Sequence, residues 1–353
     1  MPSGSNRAGE PLTEKEVHLK LCAGSLVVAG MKRLTAVVAL VAASCSPHQQ
    51  PSNDTVFVSN ETGGVMMVDG ATGRIEGQLA AGHRPRGMEF SPDRRTLYVA
   101  ASNDNRIEAW DLRTRKLLRT YASGTDPERF AISPDGGSAY IANEDHSAVS
   151  FLDLKSGRLT REVAVGPEPE GVGVSPDGKL VIATSEVANL AHFIDTATGK
   201  LLDSVPVGSR PRFVLFLNGG RIAWVSSEQR GTITVFDTRT RKVVRTIDLA
   251  RSFDIDEPVQ AVEMRALRNG SRVYVAMGRA NRVAELDPAS GKVLRWWPTA
   301  LRTWGIGLSP DETRLYAASG LGETLTIIDL RKGDVVRTIK LGGRPWGAVA
   351  APR

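Results

Sequence analysis

Residues 173–214, GVSPDGKLVIATSEVANLAHFIDTATGKLLDSVPVGSRPRFV, decide the fold. A Ser175-Pro176-Asp177-Gly178 turn opens into one apolar run, and a polar loop leads to a second run that closes on Asp195. The turn Asp195-Thr196-Ala197-Thr198-Gly199-Lys200 then starts a third run, and Gly208-Ser209-Arg210-Pro211 starts a fourth. Short runs rich in Val, Ile and Leu between such turns read as strands.

The same unit fills the chain. Its closing aspartate recurs at Asp69, Asp111, Asp153, Asp195, Asp237, Asp287 and Asp329, in steps of 42, 42, 42, 42, 50 and 42 residues. Four strands per repeat of about 42 residues, arranged radially, is the pattern of a β-propeller. The expected fold is therefore all-β: a seven-bladed β-propeller of four-stranded blades over residues 55–353. The first repeat begins at Thr55 with what is elsewhere a second strand, and Arg344-Pro345-Trp346-Gly347-Ala348-Val349 repeats the first. The C-terminal strand should therefore complete a blade begun by the three N-terminal strands.

Composition agrees with one soluble globular unit: 41% hydrophobic, 24% charged and 6% aromatic residues over 353 positions. Forty-five Lys and Arg against 39 Asp and Glu give a net charge of +6, too mild and too interleaved for nucleic acid. Two cysteines build no disulfide framework. From Met31 the text MKRLTAVVALVAASCS has the basic start, apolar run and small-residue end of a secretory signal. Residues 1–30 are expected to be a gene-model extension, 31–44 the signal peptide and 45–54 a linker. Ala42-Ala43-Ser44-Cys45 resembles a lipobox, which makes Cys45 the expected lipidation site of a periplasmic protein. Cleavage after Ser44 without acylation is the alternative.

The strings Ala139-Tyr140-Ile141-Ala142-Asn143 and Leu97-Tyr98-Val99-Ala100, with the Ser-Pro-Asp turns, resemble YVTN-type propeller repeats. Over residues 53–352 the chain resembles the seven-repeat propellers associated with PQQ-dependent alcohol catabolism. Asn143-Glu144-Asp145, Ala191-His192-Phe193-Ile194-Asp195 and Arg344-Pro345-Trp346-Gly347 carry that resemblance. It implies a neighbouring transport system and PQQ-dependent dehydrogenases as partners, and it brings no catalytic residues.

A residue present in every blade is scaffold, because one site cannot need seven copies. The seven aspartates therefore read as turn locks. Arg119, Arg161, Arg245, Arg295 and Arg337, equivalent on the fourth strands, read as edge charges that block sheet-to-sheet pairing. Of Trp296 and Trp297, one should face outward. Function belongs where the repeat breaks. The residue after the proline that opens the innermost strand, or its equivalent where Ala261 and Thr303 replace that proline, is Arg86, Glu128, Glu170, Arg212, Val262, Trp304 and Trp346 in turn. These side chains should ring the mouth of the central channel, as a ligand or partner site or as a salt-bridged plug. Glu61, Asp104, Glu144, Asp145, Glu186 and Glu228 should reach the same face, together with the eight-residue insertion around Phe253 to Pro258.

Three classes of function follow. The first expectation is a non-enzymatic accessory or binding component, without cofactor, serving a transport system tied to PQQ-dependent alcohol oxidation. Its target would be a protein partner or a small molecule. The second is a metal-dependent lyase or lactonase using His83, His146, Glu144 and Asp145. The third is a structural interaction module. His192, inside a third strand, reads as a packed structural histidine. Seven blades and no vicinal cysteines argue against intrinsic PQQ binding.

Overall fold

The computed structural model describes residues 53–252 and 257–353. The expected signal segment, with Cys45, and residues 253–256 of the insertion lie outside them. The strands form seven four-stranded antiparallel sheets. Blade 1 joins the C-terminal strand Pro345–Pro352 to Asp54–Asn60, Val65–Asp69 and Ile75–Leu79. Blade 2 runs from Pro85–Phe90 to Leu117–Ala122 and blade 3 from Pro127–Ile132 to Arg158–Ala164. Blade 4 runs from Pro169–Val174 to Leu201–Pro206 and blade 5 from Pro211–Leu217 to Lys242–Asp248. Blade 6 runs from Met264–Ala266 to Val293–Pro298 and blade 7 from Thr303–Leu308 to Asp334–Lys340. The expected closure is present: Asp54 pairs with Pro352, Thr55 with Ala351 and Val58 with Ala348.

Each blade buries both faces against its neighbours, so its middle strands are buried on both sides and mostly apolar rather than alternating. Seven separate apolar clusters result, one at each junction between blades. Between blades 4 and 5, for example, Phe193 meets Phe236 edge-to-face at 5.3 Å. The fourth strands stay exposed, and of the two neighbouring tryptophans Trp297 is buried while Trp296 faces solvent.

All seven repeat aspartates lock their turns. Asp69 Oδ1 accepts the amides of Ala71 and Thr72 at 2.8 and 2.7 Å, and Asp195 accepts that of Thr198 at 2.8 Å. The same bond is made by Asp111, Asp153, Asp237, Asp287 and Asp329. Each such carboxylate supplies the acceptor that the tight turn lacks. His192 is structural as expected: it is buried between Ser185 Oγ and Ser204 Oγ, each 2.8 Å from a ring nitrogen. Burial lowers its pKa to about 4, so it stays neutral.

The fourth-strand arginines do more than block an edge. Each reaches across to the next blade and donates to carbonyls in its turn between third and fourth strands. Arg119 donates to Lys155 and Ser156, Arg161 to Ala197, and Arg245 to Pro288 and Ala289. Arg295 donates to Leu330 and Arg337 to Thr72. A glycine in each receiving turn makes room: a Cβ at Gly157 or Gly199 would collide with the incoming guanidinium. The junction of blades 4 and 5 reverses the polarity, with Arg241 on the turn and Asp203 on the strand, 3.5 Å apart. Removing a latch strands two carbonyls that water can reach, so Arg245→Ala should cost about 1 kcal/mol. Urea unfolding should show a lower midpoint with an unchanged slope; an unmoved midpoint would refute the latch.

Candidate functional site

The innermost strands are bulged where they enter the channel. Between Pro85 and Met88, Pro127 and Phe130, and Pro169 and Val172 the register to the second strand shifts. A bulge sets two residues against one and re-aims their side chains. Here it turns Arg86, Glu128, Glu170, Arg212, Trp304 and Trp346 into one mouth. The residue before the opening proline adds a second tier that the sequence reading overlooked. Arg84, Asp126, Glu168, Arg210 and Arg302 all hold φ between 52° and 58°. L residues occupy that region sparsely, and its recurrence in five blades makes it a feature of the repeat that aims these charged side chains. The signal was legible, since this position is charged in six of the seven repeats.

The expected pairs form. Arg86 Nη1 lies 2.8 Å from Glu128 Oε2, and its Nε lies 3.0 Å from Glu61. Arg84 bridges Asp126 at 2.8 Å and Glu128 at 3.0 Å. Arg212 binds Glu170, Glu186 at 2.9 Å and Glu228 at 2.7 Å. Arg302 and Gln260 both donate to Glu228 Oε1, at 3.2 and 2.9 Å. Glu128 and Glu228 are buried, and ions so placed need this multiple pairing to offset lost hydration. The aromatic wall joins in: Arg86 stacks 5.2 Å above Trp346, and Arg302 stacks 4.4 Å above Trp304. Trp346 Nε1 is buried without an acceptor among the described residues.

The mouth is a cup rather than a plug. It holds a cavity of about 350 Å³ walled by Arg84, Arg86, Glu144, Glu170, Arg212, Trp304 and Trp346. The plug lies deeper. Position 87 and its equivalents are Gly87, Gly171, Gly305 and Gly347 in four blades, but Arg129, Phe213 and Glu263 in the others. Arg129 crosses the channel to Glu263 at 3.0 Å, beneath Trp346 at 4.4 Å and beside Phe213 at 4.8 Å. This buried pair floors the cup.

The histidine metal set does not assemble. His83 is exposed and bonds Asp104 at 2.8 Å, while His146 is exposed and lies 3.6 Å from Glu162. Asp145 faces solvent. Only Glu144, of those four, reaches the mouth. There its carboxylate comes within 4.8 Å of those of Asp126 and Glu128. These three could hold an oxygen-seeking divalent cation, but Arg84 and Arg86 already neutralise two of them. Instead Glu144 holds a proton. Burial, the hydrogen bond to Glu128 and the charges of Glu128 and Asp126 raise its pKa to about 8, against Arg86. Burial likewise raises Glu186 to about 7, opposed by Arg210.

Residues 70–205 match the family model of the seven-bladed β-propeller lactonases, and residues 145–294 match that of the outer membrane protein assembly factor BamB. No curated protein matches. Among solved structures, the periplasmic gluconolactonase PpgL of Pseudomonas aeruginosa is 22% identical with a TM-score of 0.71, covering 85% of this chain and 99% of that one. A Bacteroides uniformis protein described as a 6-phosphogluconolactonase is 19% identical, with a TM-score of 0.68 and coverage of 85% and 100%. Hydrazine synthase of Kuenenia stuttgartiensis is 20% identical, with a TM-score of 0.66 and coverage of 74% and 88%. The chain has the β-propeller fold. The expectation of a non-enzymatic accessory component is corrected by the lactonase match, which points to an enzyme instead.

Glu144 also sets a stability signature. Its folded pKa lies above the ordinary 4.5, so between those values the native state binds more protons than the unfolded chain. Stability is therefore lost as pH rises from about 4.5 to about 8. Glu144→Gln should melt like the parent at pH 4 and progressively above it up to pH 8. Parallel melting curves across that range would contradict the buried proton.

Proposed function

We propose that the channel mouth hydrolyses a lactone, a cyclic ester of a polyhydroxy acid. The observation that carries this reading is a proton-holding carboxyl, Glu144, in a cup walled by guanidiniums and tryptophans. The lactonase family match supports it, as do the two lactonase-named structural neighbours. In the reaction, water adds to the ring carbonyl while Arg86 and Arg212 stabilise the oxyanion. The C–O bond to the ring oxygen then breaks as Glu144 gives that oxygen its proton. The attacking water's surplus proton returns to the Glu144 carboxylate, and the product leaves as a hydroxy acid. The guanidiniums of Arg86, Arg212 and Arg302, held against the rings of Trp346 and Trp304, suit the hydroxyl oxygens of a sugar ring.

Proton release from glucono-δ-lactone above the spontaneous rate tests this. We expect kcat/KM to fall as pH rises through about 8, and Glu144→Gln to lower it by ~10²–10⁴-fold. No release above background, or full activity in the variant, would refute it. The Asp126, Glu128 and Glu144 carboxylates favour a second reading in which a cation activates the water. Activity lost to chelator and restored by a divalent ion would select it.

A periplasmic location is part of the proposal, supported by the periplasmic gluconolactonase and the BamB match. Acylation of Cys45 is its finer form, read from the mass of the mature N-terminus. The resemblance to propellers of PQQ-dependent catabolism fits as well, because dehydrogenating a cyclic hemiacetal yields a lactone.

A further inference from the structure

One junction of the ring is held more loosely than the others. Between blades 1 and 2 the fourth-strand position that bears arginine in five blades is Gly77, and the receiving glycine is replaced by Arg115. Among the described residues the only ion pair of that turn is Arg115 to Glu76 at 4.0 Å. A cavity of about 790 Å³ opens there, floored by Thr55, Phe57 and Leu112 and rimmed by arginines. We propose that this cleft binds a phosphate ester, independently of the channel mouth.

Two arginines stand where the repeat wants glycine. Arg115 has φ 60°, and five of its six equivalents are glycine, Gly73, Gly157, Gly199, Gly291 and Gly333, the sixth being Arg241. Arg94 has φ 56°, and its equivalents include Gly136, Gly178, Gly220 and Gly270. A non-glycine residue in that conformation is strained by its Cβ. Arg241 and Glu312 replace glycine singly elsewhere, and only the junction of blades 1 and 2 has both positions replaced. Arg94 is held in place by a 2.6 Å bond to the Ala350 carbonyl and by stacking 4.8 Å above Phe90. Arg95 and Arg113 complete the rim and form no ion pair among the described residues.

The acids present are already engaged. Arg353 takes Asp69 at 2.7 Å and Glu76 at 2.6 Å, and Asp111 accepts from its own turn at Thr114. Five arginines against the two carboxylates Glu76 and Asp111 thus line the cleft, a net positive balance, and guanidinium forks match phosphate oxygens bidentately. The apolar floor and the volume suit an ester's organic part, not a bare ion. That organic part could belong to a soluble metabolite or to a lipid headgroup. Chain entry lies on this same rim, where the Asn53 carbonyl accepts the Arg353 amide at 3.1 Å.

Calorimetric titration with glycerol 3-phosphate at low salt, and co-sedimentation with phosphatidylglycerol vesicles against phosphatidylcholine vesicles, provide the test. The comparison is Arg94→Gly with Arg115→Gly, which restores the residue the other blades carry. We expect saturable binding of one probe, weakened at least tenfold in the double variant, with melting temperature unchanged or raised and channel-mouth chemistry untouched. Binding of glycerol 3-phosphate identifies a soluble ester, and binding of the anionic vesicles alone identifies a headgroup. Binding of neither probe, or equal binding by the double variant, overturns the proposal. Arg113→Ala, at an exposed position with ordinary backbone, checks the result if the glycine variant folds poorly.

Discussion

Ring closure governs everything else in this molecule. Seven blades leave no free inter-blade face only if blade 1 is complete, and it is completed by an antiparallel ladder between the two ends of the described chain. Tyr316 of blade 7 donates to Asp54 at 2.6 Å, and the Gly347 amide donates to Ser59 at 3.0 Å, so the seam is bonded on both flanks. The closing strand also delivers Trp346 to the channel, where its ring is shared between Arg86 above and Arg129 below. The site therefore exists only in the closed ring.

The channel illustrates how one scaffold supports chemistry through small departures from symmetry. Two neighbouring acidic blades are flanked by two basic ones, so Glu128 is matched by Arg86 and Glu170 by Arg212 of the adjoining blades. Glu144 is the departure. It is buried beside two carboxylates that Arg86 only partly offsets, and this leaves it a proton. Groups whose neighbours force apart their proton affinities are the usual raw material of acid–base catalysis.

Much of this was legible in the sequence, for a physical reason. Strand and turn identity depend on local patterns, and a spacing of 42 residues between Asp69 and Asp111 repeats them without ambiguity. The mouth residues were legible too, because position 86 and its equivalents are fixed by the repeat. What escaped the reading depends on distance through space. The Arg129–Glu263 floor joins residues 134 apart, and the latches of Arg119 or Arg245 become visible only when the next blade's turn is in place. His83 and His146 misled because sharing a face is not converging: one is turned to Asp104 and the other to Glu162. The accessory role misled because a family resemblance of context says nothing about the chemistry of the cup.

The account rests on a carboxyl at the mouth that keeps its proton near neutral pH and senses a bound ligand. Carbon-13 NMR of protein labelled at glutamate carboxyls, with Glu144→Gln used to assign the resonance, measures this directly. The account predicts that the Glu144 signal titrates near pH 8 and moves when gluconate, the hydroxy-acid product, is added. A signal titrating in the ordinary carboxylate range and indifferent to gluconate would contradict it.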